Sequence, residues 1–220
     1  MKHTLFSVLL LLVVLTTPNP AWCQDPLAVQ IESRYTALQS WSADFTQTTF
    51  VEMLEDQIVK QGKIIVARPN KIRIEYTSSP YKIYASNGDK LWIYKHNDPT
   101  AWQFNNPQKV ISEEALSFLS GLKNMSEIFE IETTLDEPEG YLKIKNRGLK
   151  KIHLIPKKTD AVLKITLGVD AKNTLIKEAV LFNTSGNVTH YSFEGIVFNK
   201  NTSDDLFVLP KEPKRKIIKK

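Results

Sequence analysis

Short runs of branched and aromatic residues, separated by turn sequences, fill the stretch from Gly62 to Tyr94. This pattern is typical of consecutive antiparallel strands. From Ile128 onward it continues, and runs such as residues 141–146 alternate apolar and polar side chains. The chain predicts about ten antiparallel strands, and a sheet of that size should curl into a barrel or a strongly curved half-barrel. The turn sequences within the first stretch are Pro69-Asn70, Ser79-Pro80 and Asn87-Gly88-Asp89.

The first of these turns decides which residues share a face of the sheet. If residues 69–71 form a three-residue turn, Arg68 pairs with Ile72 across the hairpin. A two-residue turn would instead divide the apolar residues of the two strands between opposite faces of the sheet. In the first arrangement the guanidinium of Arg68 lies at the end of the apolar wall of a cavity and requires specific hydrogen-bond acceptors. The alternative is that Arg68 is exposed in the turn. The predicted wall consists of Ile64, Val66, Ile72, Ile74 and Tyr76, together with Arg68.

Two segments have the pattern of amphipathic helices that could cover such a sheet. Asp25-Pro26 begins the first, and its apolar residues recur at helical spacing. Ser112 caps the second, which should end near Gly121 and is short enough to require contact with the sheet. These helices are the predicted plug or lid. The apolar residues are Leu27, Ile31, Tyr35 and Leu38 in the first helix, and Ala115, Phe118, Leu119 and Leu122 in the second.

Residues 1–23 have the composition of a secretory signal peptide. The apolar run Leu5–Leu15 follows a charged start and is too short to remain as a membrane anchor. Cys23, the only cysteine, could be the lipid-modified N-terminus of a lipoprotein. The bulky Trp22 instead favours cleavage after Cys23, because lipid attachment requires small residues before the cysteine.

The chain is 42% hydrophobic and suits one globular domain over residues 24–210, followed by a basic C-terminal tail over residues 211–220. Six Lys and Arg residues in the tail, against Glu212, account for the whole formal charge of +5. A nucleic-acid-binding domain would carry its basic residues on the folded body, so no nucleic acid is expected as a partner. The tail should be a solvated, mobile end, or alternatively a binder of anionic phospholipid headgroups.

No combination of residues predicts a catalytic or metal site. The four histidines are scattered, and no HExxH motif, nucleophile elbow, phosphate-binding loop or catalytic cysteine occurs. Asp44, Asp89 and Glu194 could form an acid–base pair in space, but surface or turn roles are favoured. We therefore expect no enzyme activity, no metal and no cofactor. A curled sheet with apolar inward positions predicts a container for an acyl chain or another hydrophobic group.

A set of motifs extends, in order, along nearly all of the chain after residue 23. They are Phe45-x-Gln47, Gly62 and the strand after it, Ala67-Arg68-Pro69-Asn70, Tyr76-x-x-x-Pro80, Ser86-Asn87-Gly88-x-x-Leu91-Trp92-x-Tyr94, the helix Ala115–Leu122 and the segment Phe182–Asn199. Together they resemble the periplasmic outer-membrane lipoprotein carrier family, LolA. The most specific part is the Arg-Pro-Asn turn followed by the Asn-Gly-Asp turn and Leu-Trp-x-Tyr.

This resemblance implies an incomplete antiparallel β-barrel closed by short helices around a hydrophobic cavity. It implies a monomeric periplasmic chaperone that takes acylated lipoproteins from an ATP-driven inner-membrane exporter to an outer-membrane lipoprotein receptor. The family's functional arginine falls on Arg68, which should hydrogen-bond lid carbonyls around Leu119–Gly121 and release them when an acyl chain enters. Ile72 and Ile74 stand where relatives have an aromatic residue and a Trp, so the cargo preference of relatives does not transfer.

Three alternatives remain open at this point. A protein of the same fold could carry other lipids, or sense mislocalised lipoproteins, although such sensors have additional segments. The barrel could host a periplasmic enzyme, which would require converging polar groups. An acylated Cys23 would instead indicate a membrane-anchored receptor.

Overall fold

The computed structural model describes residues 26–107, 125–133, 142–158 and 161–220. These residues form one large sheet and two α-helices, with 3-10 turns at Glu52–Leu54 and Asp204–Phe207. The helices are α1, Pro26–Ala37, and α2, Met125–Ile128, and the strands are β1 Ser40–Val51, β2 Asp56–Ala67, β3 Lys71–Tyr76, β4 Ile83–Ser86, β5 Leu91–Tyr94, β6 Thr100–Phe104, β7 Phe129–Glu132, β8 Lys150–Pro156, β9 Val162–Asp170, β10 Leu175–Asn183, β11 Val188–Phe198 and β12 Lys216–Lys219.

The strands lie in the order β12-β6-β5-β4-β3-β2-β1-β11-β10-β9-β8-β7. Neighbours are antiparallel except for β12, which runs parallel to β6. The edge strands β12 and β7 do not pair with each other, so the sheet is curved but open. This confirms the predicted incomplete barrel of mostly antiparallel strands. The described residues form twelve strands, rather than about ten.

The hairpin between β2 and β3 differs from the predicted register. Ala67 pairs with Lys71 and Val66 with Ile72, so the turn consists of Arg68, Pro69 and Asn70. Asn70 has φ 53°, the left-handed conformation that a three-residue turn needs at its last position and that Asn tolerates. The prediction that Arg68 pairs with Ile72 is therefore wrong.

The inner face of the sheet, defined as the face that carries Ile64 and Ile72, holds the main hydrophobic core. α1 packs on this face. Its predicted apolar side is confirmed, because Ile31, Tyr35 and Leu38 are buried in that core and Leu27 packs against it.

On the outer face, the segment that follows β11 covers the strands from β3 to β6. Val208 and Leu209 pack there against a second cluster of buried residues that includes Trp92. The Arg73 guanidinium fixes the segment by donating a hydrogen bond of 3.1 Å to the carbonyl oxygen of Leu206. Arg73 also forms a 2.8 Å ion pair with Glu75.

The sequence predicts a strand over residues 141–146, but the described part, residues 142–146, forms none. Its backbone is satisfied by a side chain instead, because Lys145 N and Asn146 N donate to the Glu178 carboxylate at 2.8 and 3.1 Å. A segment whose donors bind a carboxylate does not need a strand partner.

The C-terminal tail is partly a strand. Lys216–Lys219 forms β12, and its ends are fixed by hydrogen bonds from Lys216 N to Pro99 O, 2.7 Å, and from Lys220 N to Gln103 O, 2.9 Å. The prediction of a mobile end is therefore wrong for this part of the tail. Its side chains remain exposed.

Several predicted features lie outside the described residues. These are the signal peptide of residues 1–23, the helix start at Asp25 and the second helix with Ala115, Phe118, Leu119 and Leu122. Within the described ranges, none of the helices has the length and apolar character needed to cross a bilayer.

Candidate functional site

α1 is fixed on the inner face by both apolar and polar contacts. Tyr35 is buried, its ring meets Phe198 edge-on at a centroid distance of 6.0 Å, and its hydroxyl oxygen accepts a hydrogen bond of 3.0 Å from Ile176 N. Burial raises the pKa of the Tyr35 hydroxyl, which therefore stays neutral at physiological pH. α1 thus occupies the region in front of β10 and β11.

The side chain of Arg68 binds the C-terminal end of α1. Its Nε donates to Leu38 O at 2.7 Å and one terminal nitrogen donates to Tyr35 O at 3.1 Å. The backbone N–H of Arg68 donates to Gln39 O at 2.9 Å. The last carbonyls of a helix lack partners within it and carry partial negative charge, so a guanidinium suits them. The acceptors predicted around Leu119–Gly121 lie outside the described residues.

The predicted apolar wall lies on the inner face, although the register of its hairpin differs. Ile64, Val66 and Ile72 are each less than 5% exposed, and Ile74 and Tyr76 pack against the same core while partly buried. Arg68 is half-buried in the turn at the end of this wall. The structure therefore brings the five apolar residues together and places Arg68 beside them, aimed at α1.

A continuous chain of aromatic rings crosses the inner face beside this wall. Sequence reasoning missed it because the rings come from four strands, although the alternation of Trp41 with Phe45 in β1 and of Tyr191 with Phe193 in β11 was a signal. Such edge and stacked contacts stabilise a rigid apolar surface. The successive pairs are Trp41–Phe193 at 6.3 Å, Phe193–Tyr191 at 6.2 Å, Tyr191–Phe45 at 6.0 Å, Phe45–Tyr76 at 5.5 Å and Tyr76–Tyr84 at 6.2 Å.

The hydroxyls of Tyr76 and Tyr191, two members of this row of rings, stay neutral. Burial raises the pKa of Tyr76 to about 12, and its hydroxyl donates to Gln47 Oε1 at 2.8 Å. Burial, with the neighbouring Tyr76 and Tyr84, also raises the pKa of Tyr191. The charges beside these rings are those of Lys60 and Lys82, whose Nζ atoms lie 5.5 Å from the Tyr76 ring centroid and 5.9 Å from the Tyr84 ring centroid.

A row of apolar residues continues from this core to the β12 edge of the sheet. We call it the apolar row; its members face one another on successive strands, and exposure rises from 3% at Ile64 to 45% at Trp102 and 38% at Ile218. The core surface therefore emerges to solvent at one edge. The row consists of Ile64, Ile74, Tyr84, Ile93, Trp102 and Ile218.

Among the described residues, little space is left between α1 and the sheet. A cavity of about 10 Å³ is lined by Tyr35, Trp41, Ile176, Phe193 and Ile196. That volume accommodates at most one water molecule. An acyl chain could enter the inner face here only if α1 or another covering element moved.

Potential metal ligands are not gathered on the described part of this face. Within the described residues, no group of three or more His, Cys, Asp or Glu side chains could hold a metal ion. The buried pairs Glu178–His190, at 2.8 Å, and His153–Thr166, at 3.0 Å, lie on the opposite face of the sheet. The chemistry that the inner face offers is thus the burial of apolar groups.

Residues 36–210 match the family model described as outer membrane lipoprotein carrier protein LolA. This chain belongs to the LolA family. The matched region of this LolA-family chain begins in the last turn of α1, includes Arg68 and every strand from β1 to β11, and ends before β12.

Two relatives share the carrier name. The chain is 31% identical over 94 residues to an outer-membrane lipoprotein carrier protein of Glaesserella parasuis serovar 5 (strain SH0165), over 43% of this chain and 45% of the relative. It is 30% identical over 111 residues to a protein of the same name from Coxiella burnetii (strain RSA 331 / Henzerling II), over 49% of this chain and 51% of the relative. The chain spans about half the length of the curated relatives it matches.

A solved structure has a similar fold. An uncharacterized conserved protein of Thermus thermophilus aligns with 88% of this chain and 97% of its own, with a TM-score of 0.52 and 10% sequence identity. At that identity the likeness concerns the fold alone.

Proposed function

We propose that this LolA-family protein is a monomeric periplasmic chaperone for acylated lipoproteins. It accepts them from an ATP-driven inner-membrane exporter and delivers them to an outer-membrane receptor, without chemistry of its own. The observation that carries this proposal is the apolar row, which leads from the core under α1 to an exposed edge of the sheet. The carrier names of the family and of its relatives support the choice of cargo.

The apolar row has the dimensions of a path for an acyl chain. From Ile64 to Ile218 it makes five steps between neighbouring strands, or about 24 Å at about 4.8 Å a step. Each methylene group removed from water contributes about 0.8 kcal/mol to the binding free energy. An acyl chain laid along the row therefore gains most of its affinity without any polar contact.

Arg68 is the proposed latch of this carrier. In the closed state it holds the end of α1 through Tyr35 O and Leu38 O. An entering acyl chain displaces the covering helices, among them the helix predicted over residues 112–122. Release of the cargo requires that the closed state remain competitive in free energy with the open, cargo-bound state.

Binding of a fluorescent triacylated lipopeptide tests the proposal. The double variant Tyr84→Gln, Ile93→Gln places polar groups in the partly buried middle of the apolar row and should weaken binding at least about tenfold. The matched control is Ile58→Gln, Val197→Gln, which changes two apolar side chains that are already 43% and 46% exposed. Equal affinities of the two double variants would refute binding along the row.

The latch is tested separately in a reconstituted transfer assay. Arg68→Leu should retain the lipopeptide but deliver it poorly to an outer-membrane receptor, because reclosure of α1 then lacks the two hydrogen bonds from Arg68. Undiminished transfer by this variant would refute the role of Arg68 and leave the binding proposal intact.

A further inference from the structure

Positive charge is concentrated at the β12 edge of the sheet. The last ten residues carry six Lys and Arg against one carboxylate, Glu212, while the rest of the chain is close to neutral. Within the described residues, none of these six cations forms a salt bridge with a carboxylate. Their charge is therefore available to an anionic partner.

Exposed apolar side chains lie among these cations. Trp102, Ile217 and Ile218 are 45%, 45% and 38% exposed and lie next to one another at this edge. Ile218 lies beside Trp102 on the inner face, and Ile217 points to the outer face. If this edge carried only lysines, they could be explained as a means to prevent the free edge strand from pairing with other chains. Three large apolar groups at the same edge work against such protection and require another explanation.

The cations and the apolar groups also meet in a recess on the outer face. Its volume is about 480 Å³, within the range of ligand-binding sites. A site of this composition suits a molecule that joins a phosphate to an apolar body. The residues that line it include Trp92, Val208, Leu209, Lys211, Lys214 and Arg215.

Contacts with the sheet hold two of these cations in place. The Arg215 guanidinium lies 5.0 Å from the ring centroid of Tyr94 and donates a 2.8 Å hydrogen bond to His96 O. Lys220 Nζ lies 5.4 Å from the ring centroid of Trp102. Binding to a surface would therefore cost little further ordering of the backbone.

We propose that the β12 edge docks this protein onto the surface of anionic phospholipid bilayers. The lysines face the lipid phosphates, while Trp102, Ile217 and Ile218 enter the boundary between headgroups and acyl chains. Docking presents the exposed end of the apolar row to the membrane. This inference goes beyond lipoprotein carriage and does not depend on it.

Co-sedimentation of the mature protein with lipid vesicles tests the proposal. The protein should bind vesicles of phosphatidylglycerol and phosphatidylcholine, bind pure phosphatidylcholine vesicles much less, and be released by salt as the Debye length falls from about 10 Å at 0.1 M to about 3 Å at 1 M. Lys216→Gln, Lys219→Gln should weaken binding about tenfold or more.

The matched control is Lys158→Gln, Lys172→Gln, which removes the same charge from two exposed lysines outside the tail. It should bind like the parent protein. Equal losses in the two double variants would show that net charge alone attracts the vesicles and would overturn the proposal, as would equal binding to both kinds of vesicle.

Tryptophan fluorescence tests the position of the edge in the lipid. Trp102 is the exposed one of the three described tryptophans, whereas Trp41 and Trp92 are each 8% exposed. Anionic vesicles should shift the emission of the parent protein to shorter wavelength, and vesicle-bound Trp102→Phe should lack this shift. A shift that persists in Trp102→Phe would overturn the proposed insertion.

Two other occupants of the edge give different results. A concentration-dependent dimer that Lys216→Gln, Lys219→Gln strengthens would assign the edge to a second copy of this chain. Binding of soluble polyglutamate as tight as binding of vesicles would assign it to acidic polypeptides. Either result would overturn membrane docking.

Discussion

The Nε atom of Arg68 lies 2.7 Å from the carbonyl oxygen of Leu38, just beyond the end of α1. This contact joins a turn of the sheet to the helix that covers the inner face. Because the same guanidinium also reaches Tyr35 O, one side chain satisfies two carbonyls at the end of α1. The turn therefore determines how firmly α1 is held over the apolar surface.

Arg68→Leu should lower the free energy of unfolding by about 2 kcal/mol, because two carbonyls lose hydrogen bonds to a charged donor. Arg68→Lys should recover only part of the loss, since an ammonium cannot reproduce the planar fork of a guanidinium. Urea unfolding measures both. The control is Arg147→Leu at an exposed turn, and a loss there as large as in Arg68→Leu would contradict a specific role for Arg68.

Gly62→Ala should destabilise the protein by about 1–3 kcal/mol, as overpacking of a core does. A Cβ at this position would lie 2.5 Å from Glu75 O and 2.6 Å from Cζ of Phe45. Thermal unfolding is a suitable measurement. Gly148→Ala is the matched control, because a Cβ there meets only an Asn146 side-chain oxygen at 3.3 Å; equal stability of the two variants would show that the sheet yields at Gly62.

Glu178 should make stability depend on pH in the acidic range. Burial alone would raise the pKa of its carboxyl, but hydrogen bonds from His190, Lys145 N and Asn146 N outweigh burial and leave the pKa below its usual 4.5. A pKa that is lower in the folded state stabilises the protein above the unfolded value, and this contribution is lost as pH falls through the folded pKa.

Glu178→Gln should therefore remove part of the loss of stability seen on acidification below about pH 4.5 and cost about 1–3 kcal/mol at neutral pH. Unfolding in urea at a series of pH values gives both quantities. The exposed Glu130→Gln provides the comparison, and an unchanged pH profile in Glu178→Gln would contradict the assignment.

Arg73→Met should loosen the C-terminal segment without unfolding the sheet. The guanidinium of Arg73 holds Leu206 O and the Tyr94 hydroxyl, each at 3.1 Å. Hydrogen exchange of the β12 amides should become faster. Exchange of the β7 amides, at the opposite edge of the sheet, should stay unchanged and serves as the internal control. Unchanged exchange in β12 would show that pairing with β6 suffices to hold it.

Much of the fold could be predicted because alternating patterns and turn residues are local signals. The predicted open sheet of mostly antiparallel strands is present, and the predicted apolar face of α1 is buried. Residues 142–146 alternate like a strand but bind the Glu178 carboxylate, a partner more than thirty residues away in the sequence. β12 was missed because its pairing with β6 joins residues that are far apart in the chain.

The candidate site was predictable only in part, for the same reason. The wall from Ile64 to Tyr76 lies in one hairpin, so its shared face follows from local spacing. The aromatic chain joins four strands, and the acceptors of Arg68 on α1 lie 30 and 33 residues away from it. Contacts of that kind depend on tertiary packing, which no local pattern specifies.

The most direct test of lipoprotein carriage is native mass spectrometry of the protein purified gently from the periplasm, with the bound molecule identified after dissociation. The expected result is a triacylated lipoprotein, or its lipopeptide, bound one to one. Free phospholipid or another lipid in its place would contradict the proposed cargo and would make the protein a carrier of other lipids on the same fold.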